Sequence, residues 1–310
     1  MENVTIEARV FGLSDQLHRE LASRQSRCWL LLDPVLRPVL DESPLGLALA
    51  GRTFIRLPSA SELEPSLMPL LVEFAPAKAG DHELIWLSLH EALEELAPEA
   101  LAQGGGRRIC GWLESNADGK SLARHIAKQM IQAHGTARRL LRWYDPAVLW
   151  ALWPLLKPDQ KTTLLGPITS FRLIDPTGHW VNLTSPRLTD GSGLDLTYEQ
   201  WQRIDCIAAL NGALREFELM SLSSEQIGSM RDNAMAALLR ARQLGFADNK
   251  DLRAFARFAL NVHPAFDAHP LVTERLAKRE SDDYFTALVD DLTTEQWVRI
   301  QHDCAQPATR

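Results

Sequence analysis

The sequence predicts an α/β N-terminal lobe with a mostly parallel sheet, followed by an all-α C-terminal lobe. Three observations predict it. In the first half, short apolar runs alternate with stretches of helical spacing, and a parallel crossover needs a helix to return the chain. A polar connector follows, Ser185-Pro186 and Thr189-Asp190-Gly191-Ser192-Gly193, in which neither helix nor strand is favoured. Beyond it, every apolar pattern has the helical period. The resulting boundaries are 1–184 for the α/β domain, 185–194 for a linker and 195–310 for a helical bundle. A length of 310 residues and 45% hydrophobic residues allow each lobe its own core.

The elements follow in order. A helix opens near Ser14 and precedes a strand over Cys28–Leu32; a less regular stretch with Gly46 and Gly51 leads to a strand over Leu70–Phe74. A helix over Glu83–Leu96, a Gly104-Gly105-Gly106 turn, a strand over Arg108–Leu113, a helix over Ser121–Ala133 and a strand over Arg138–Trp143 come next. That last strand stops at Asp145-Pro146, where Asp145 suits the cap and Pro146 the first helical position. Val148, Leu149, Leu152, Trp153 and Leu156 then form one apolar helix face. Strands over Ser170–Ile174 and His179–Leu183 flank the turn Asp175-Pro176-Thr177-Gly178 and form a hairpin.

In the second lobe, Leu196-Thr197-Tyr198-Glu199-Gln200-Trp201 nearly recurs as Leu292-Thr293-Thr294-Glu295-Gln296-Trp297, with a shorter version at Leu222-Ser223-Ser224-Glu225-Gln226-Ile227. A hydroxyl three residues before Gln is the capping-box arrangement, with Leu before it to staple the first turn. The unequal spacing of the copies speaks for three good helix starts and against a repeat fold. From Trp201 the apolar positions Ile204, Ile207, Leu210, Leu214 and Phe217 step by three or four, and Leu252, Phe255 and Ala259 do so in a helix opened at Asp248 or Asn249. Grooves between such helices suit an amphipathic guest.

The ordered set Leu30-Leu31-Leu32-Asp33, Leu70-Leu71-Val72-Glu73-Phe74, Ile109-Cys110-Gly111-Trp112-Leu113-Glu114-Ser115 and Arg142-x-Tyr144-Asp145-Pro146, with Gly166-Pro167 downstream, resembles the N-terminal domain of the adaptor/chaperone proteins that load toxic effectors onto the spike of the bacterial type VI secretion system. The resemblance implies a cytoplasmic carrier with two protein partners, a cognate effector and the spike protein. It implies no catalysis and no cofactor. Arg142, Tyr144, Asp145, Pro146, Gly166 and Pro167 are the residues that carry the motif, with a structural role expected.

Composition bounds the remaining classes. No charged leader with an apolar run and no long apolar stretch is present, so neither a secretion signal nor a membrane partner is expected. Cys28, Cys110, Cys206 and Cys304 lie far apart without Cys-x-x-Cys spacing, as reduced cytoplasmic thiols do. The net charge of -7 argues against a general nucleic-acid binder. Its distribution is uneven: Arg107, Arg108, Lys120, Arg124, Lys128, Arg138, Arg139 and Arg142 face only Glu114 and Asp118 in their segment. Lys120, Arg124 and Lys128 recur every four residues on one helix face, which is a solvated face or a dock for an acidic partner.

Catalytic motifs are absent: there is no Gly-x-Ser-x-Gly elbow, P-loop, dinucleotide fingerprint or His-Glu-x-x-His helix. Two other readings remain. Asp33, Arg142 and Asp145, at predicted strand ends, could form an enzyme site; the basic stripe could bind nucleic acid. His263, Asp267 and His269 have metal-type donors, but the two His-Pro steps fit a rigid loop and no metal is assigned. Of the nine tryptophans, Trp29, Trp86, Trp112, Trp143, Trp150, Trp153, Trp201 and Trp297 are read mostly as core, and Trp180, in the short hairpin, as an interface anchor.

Overall fold

A computed structural model describes residues 6–22, 26–35, 37–59, 63–97, 100, 107–185, 193–280 and 283–306. The chain divides into two units, Met1–Leu196 and Thr197–Arg310. The predicted glycine turn at 104–106, and most of the predicted linker, lie outside the described residues.

In the first unit the apolar runs do form strands: β1 (Arg27–Leu32), β2 (Phe54–Arg56), β3 (Leu70–Phe74), β4 (Ile109–Ser115), β7 (Ile168–Ile174) and β8 (Trp180–Thr184). They make one sheet in the order β2-β3-β1-β4-β7-β8, and every pairing in it is antiparallel. The expected parallel sheet is therefore corrected. Helix α3 (Ala79–Glu94) does carry the chain between two strands of like direction, β3 and β4, but the slot between them is filled by β1 running the other way. Alternation in the sequence reports that a helix returns the chain; it does not report which strand occupies the slot it crosses.

Both faces of this sheet are covered, which explains the uninterrupted apolar runs. On one face, Leu30, Leu32, Val72, Phe74 and Trp112 meet Val10 and Leu17 of α1 (Ile6–Ala22) and Leu84, Leu89 and Leu93 of α3. On the other, α4 (Gly119–Met130) packs against β2 and β3, and Trp143 meets Phe171 edge-on with ring centroids 6.0 Å apart. The short α2 (Pro44–Leu49) is capped by Ser43.

The predicted strand over Arg138–Trp143 is also corrected. After α4 the chain makes a separate two-stranded ribbon, β5 (Ile131–His134) with β6 (Ala137–Leu140), closed by Gly135 at φ 60°. A two-residue loop favours such a φ at its first position, because it matches the strand twist. Arg142 to Asp145 lie in a turn beyond the ribbon, outside any strand. Helix α5 (Pro146–Leu152) follows and stops sooner than its apolar spacing predicts, with Pro154 in the 3₁₀ turn Trp153–Leu155, before α6 (Pro158–Leu165). The predicted β7–β8 hairpin forms; Asp175 Oδ1 accepts the Thr177 (2.8 Å) and His179 (3.0 Å) amides at its turn.

The second unit is helical among its described residues: α7 (Tyr198–Ile204), α8 (Ile207–Leu214), α9 (Ser224–Gln243), α10 (Asn249–Asn261), α11 (Pro270–Ala277), α12 (Phe285–Val289) and α13 (Thr294–Ala305). All three anticipated capping boxes form, at Thr197, Ser223 and Thr293. The single stripe from Trp201 to Phe217 is divided between α7 and α8, with Asp205 and Cys206 at the break. Phe246, Phe255, Phe266 and Phe285 form the centre of the unit, and Trp297 stacks on Phe258 with centroids 4.4 Å apart.

Candidate functional site

The end of β1 gathers the polar residues of the Arg-x-Tyr-Asp-Pro motif. Asp33 follows the last strand residue, donates its amide to the Arg108 carbonyl (2.9 Å) and accepts the Val35 amide at Oδ1 (2.9 Å). Its Oδ2 receives Arg142 Nη2 at 2.6 Å, and the same nitrogen lies 3.5 Å from Asp145 Oδ2. Asp145 Oδ1 in turn accepts the Ala147 amide at 2.9 Å, as the N-cap of α5. Arg142 thus ties a strand end to a helix start across 109 residues of chain. Its guanidinium carbon is 6.0 Å from the centre of the buried Tyr144 ring.

Electrostatics make this a strut. Burial works to lower the Arg142 pKa, but Asp33, Tyr144 and Asp145 outweigh it and hold it raised. Burial first, and Asp33 next, push the Tyr144 phenol up; burial also pushes the neighbouring Cys110 thiol well up. A thiol and a phenol held in their protonated forms are poor nucleophiles and poor bases. Both carboxylates are occupied by the strand end, the helix cap and the guanidinium.

A second buried network was not foreseen from the sequence. Arg108 has no exposed side-chain surface; its Nε donates to Glu91 Oε1 at 2.5 Å, Nη2 pairs with Glu91 Oε2, and Nη1 reaches Asp41 Oδ2 (3.1 Å) and the Pro38 carbonyl (2.8 Å). Glu95, one turn beyond Glu91, accepts the Arg108 amide at 2.6 Å and the Ile109 amide at 3.3 Å. Burial foremost, and Glu91 nearby, push the Glu95 carboxyl up to about 7. For Asp41 burial is overcome by Ser43 and Arg108, and the carboxyl sits lowered, at about 2. Arg172 forms a similar buried pair with Glu114 (3.3 Å), extended to Glu20 of α1 (2.7 Å). The available signal was a pair of acidic residues four apart at the end of α3, and arginines at the start of or inside apolar strands; such residues enter a core only when paired.

The remaining predicted residues are scattered. Lys120, Arg124 and Lys128 lie on the exposed face of α4, as their spacing predicted, with Asp118 capping its start through the Lys120 and Ser121 amides (both 3.0 Å). Trp180 is half-buried against Trp112, ring centroids 5.4 Å apart, so much of its indole serves the core. Gly166 ends α6 at φ 52° beside the His125 ring, where any Cβ would collide, and the Pro167 carbonyl accepts Ser115 Oγ at 2.8 Å. In the second unit Asp267 grips Arg240 (2.9 and 2.8 Å), His269 caps α11 through Leu271 and reaches Asp303 (3.3 Å), and His263 accepts the Ala265 amide (3.2 Å). Loop architecture occupies all three. No cluster of three metal-binding side chains occurs among the described residues.

Residues 28–163 match the family model described as a domain of unknown function (DUF4123). The match begins at β1 and ends within α6, so it takes in the Asp33–Arg142–Asp145 strut, the Arg108 network, the basic helix face and the β5–β6 ribbon. The β7–β8 hairpin and the helical unit lie beyond the DUF4123 match. No curated protein and no solved structure matches the chain. Among the described residues, no helix is long and apolar enough to cross a membrane.

Proposed function

We propose that the protein is an adaptor that binds a cognate type VI secretion effector in the cytoplasm and loads it onto the spike protein, without catalysing a reaction. The observation that carries a binding role is the outward basic run Lys120, Arg124, Lys128 and Arg138, exposed on α4 and β6 in a chain of net charge -7. Concentrated charge of one sign steers an oppositely charged partner and adds little to the fold. The identity of the partners rests on the resemblance of the strand and Arg-x-Tyr-Asp-Pro motifs to the effector adaptors; those motifs up to Pro146 fall inside the DUF4123 match. The sheet-end carboxylates hold Arg142 and cap α5, which is the structural role expected of them.

The experiment is co-expression with the toxin and spike proteins encoded beside this gene, followed by affinity purification and a secretion assay in a deletion strain. The expected result is a ternary complex, and loss of one effector from the secreted fraction with the sheath and other effectors unaffected. Failure to capture either protein, or equal loss of all effectors, overturns the proposal. In a low-salt gel shift, nanomolar binding of DNA or RNA that weakens steeply with salt would replace it with the nucleic-acid reading.

A further inference from the structure

The β5–β6 ribbon is joined by no other strand among the described residues. Its hydrogen-bonding phase follows from its register. Leu141 donates to the Met130 carbonyl at 2.7 Å, so that pair is bonded. Alternation makes Gln132–Arg139 and His134–Ala137 bonded as well, and leaves Ile131–Leu140 and Ala133–Arg138 as the non-bonded pairs. Non-bonded residues direct their main-chain N–H and C=O away from the ribbon partner, to its two edges. On the β5 edge one donor is consumed, because the Ile131 amide closes α4 on the Lys128 carbonyl. On the β6 edge the outward groups belong to Arg138 and Leu140.

The side chains sort by the same alternation. Ile131, Ala133, Arg138 and Leu140 share one face, on which Arg138 is exposed and Leu140 is 45% exposed. Gln132, on the other face, is buried and accepts the Leu194 amide at 3.0 Å, which holds that side of the ribbon to the domain. We infer that the β6 edge accepts an extended acidic segment of the partner protein as a third strand. The identity of that partner rests on the adaptor reading; the chemistry of the segment does not. An acidic residue would sit opposite Arg138, an apolar one two positions along opposite Leu140, and a second acid between them opposite Arg139. Main-chain pairing supplies affinity and the alternate side chains supply specificity. A second copy of the chain is a poor occupant, because edge-to-edge pairing sets the arginines of one ribbon against those of the other.

The test uses the full chain and a fluorescent peptide that carries Glu-Glu-Val in an extended run, read by anisotropy. Two further probes carry N-methyl groups on one or the other set of alternate amides; a lysine–valine peptide and a duplex oligonucleotide complete the set. Strand addition predicts that the parent peptide binds, that one methylated probe binds equally, and that the other weakens about tenfold or more, because only one edge of the added strand faces β6. Arg138→Pro removes an outward donor without breaking a ribbon hydrogen bond and should weaken the parent peptide similarly, while Arg138→Glu should turn preference to the lysine peptide. Equal binding of both methylated probes, no binding of the parent, or tighter binding of the duplex overturns the inference. If Arg138→Pro fails to fold, the methylated probes on the wild-type chain decide. Co-purification of the effector by wild type and Arg138→Pro alike overturns strand addition and leaves the adaptor reading standing; failure of wild type to capture it overturns the adaptor reading, and the peptides still judge the edge.

Discussion

Asp145 shows how one residue can be read from its neighbours alone. Asp followed by Pro marks a helix start, and Asp145 does cap α5 through the Ala147 amide (2.9 Å). Asp145→Ala should lose about 0.5 to 2 kcal/mol in chemical denaturation, and Asp145→Asn much less, because the amide oxygen accepts the same bond. An equal loss in both variants would shift the weight from the cap to the charge facing Arg142. Glu95 was not readable in this way, since its burial depends on Arg108, which lies at the entry to a strand distant in the chain. Its carboxyl, raised from 4.5 to about 7 by burial, takes up a proton more readily in the folded chain than in the unfolded one. The stability this gives is fully present below pH 4.5 and is lost as pH rises through 7, about 3 kcal/mol in all. Urea midpoints measured from pH 4.5 to 8 should fall through that window for wild type, and Glu95→Gln should flatten the fall. An unchanged slope in the variant would place the titration elsewhere. Asp41, lowered to about 2, acts in the opposite sense: its contribution is present above 3.8 and lost as pH falls through 2.

At the scale of elements, caps and the hairpin turn held, and the long-range order and direction of the strands did not. The capping boxes at Thr197, Ser223 and Thr293 and the turn from Asp175 to Gly178 are where the sequence placed them, because each is completed by residues a few positions apart. The sheet was misread because a strand covered on both faces has the same continuous apolar run in a parallel or an antiparallel sheet. The basic face of α4 was legible from its four-residue spacing, but the β5–β6 ribbon was hidden, since Arg138 to Trp143 carries the arginine and aromatic character of a strand leading into the α5 cap. Gly166 gives the prediction at this scale. It closes α6 at a positive φ with the His125 ring against it, so Gly166→Ala must strain the backbone and displace the ring. We expect a loss of about 1 to 3 kcal/mol, against a small gain of about 0.4 to 1 kcal/mol for Gly12→Ala, which has open space and an ordinary φ within α1. Thermal unfolding compares the two; a Gly166→Ala variant as stable as Gly12→Ala would show that this helix end relaxes without cost.

For the whole molecule, composition places a connector at 185–194, and the contacts divide the chain into units that meet between Leu196 and Thr197. The break is physical as well as compositional: the capping box of Thr197 starts the helical unit with its own Gln200 as partner. The aromatic centre of that unit draws Phe246, Phe255, Phe266 and Phe285 from α10, α12 and the segments beside them, so its densest packing is internal. Ion pairs within it, Arg240 with Asp267 and Arg275 with Asp291, likewise close between its own helices and loops. A fragment of residues 197–310 should therefore fold alone, with a helical far-ultraviolet spectrum, a near-ultraviolet signal from packed Phe258 and Trp297, and one cooperative thermal transition. Phe255→Ala, at the contact of three other rings, should lower that transition strongly, by about 3 to 5 kcal/mol at the midpoint, in the fragment as in the full chain. A fragment that keeps its helices but melts without cooperativity and binds a hydrophobic dye would be a molten globule, and would mean that its core is completed from outside its own residues.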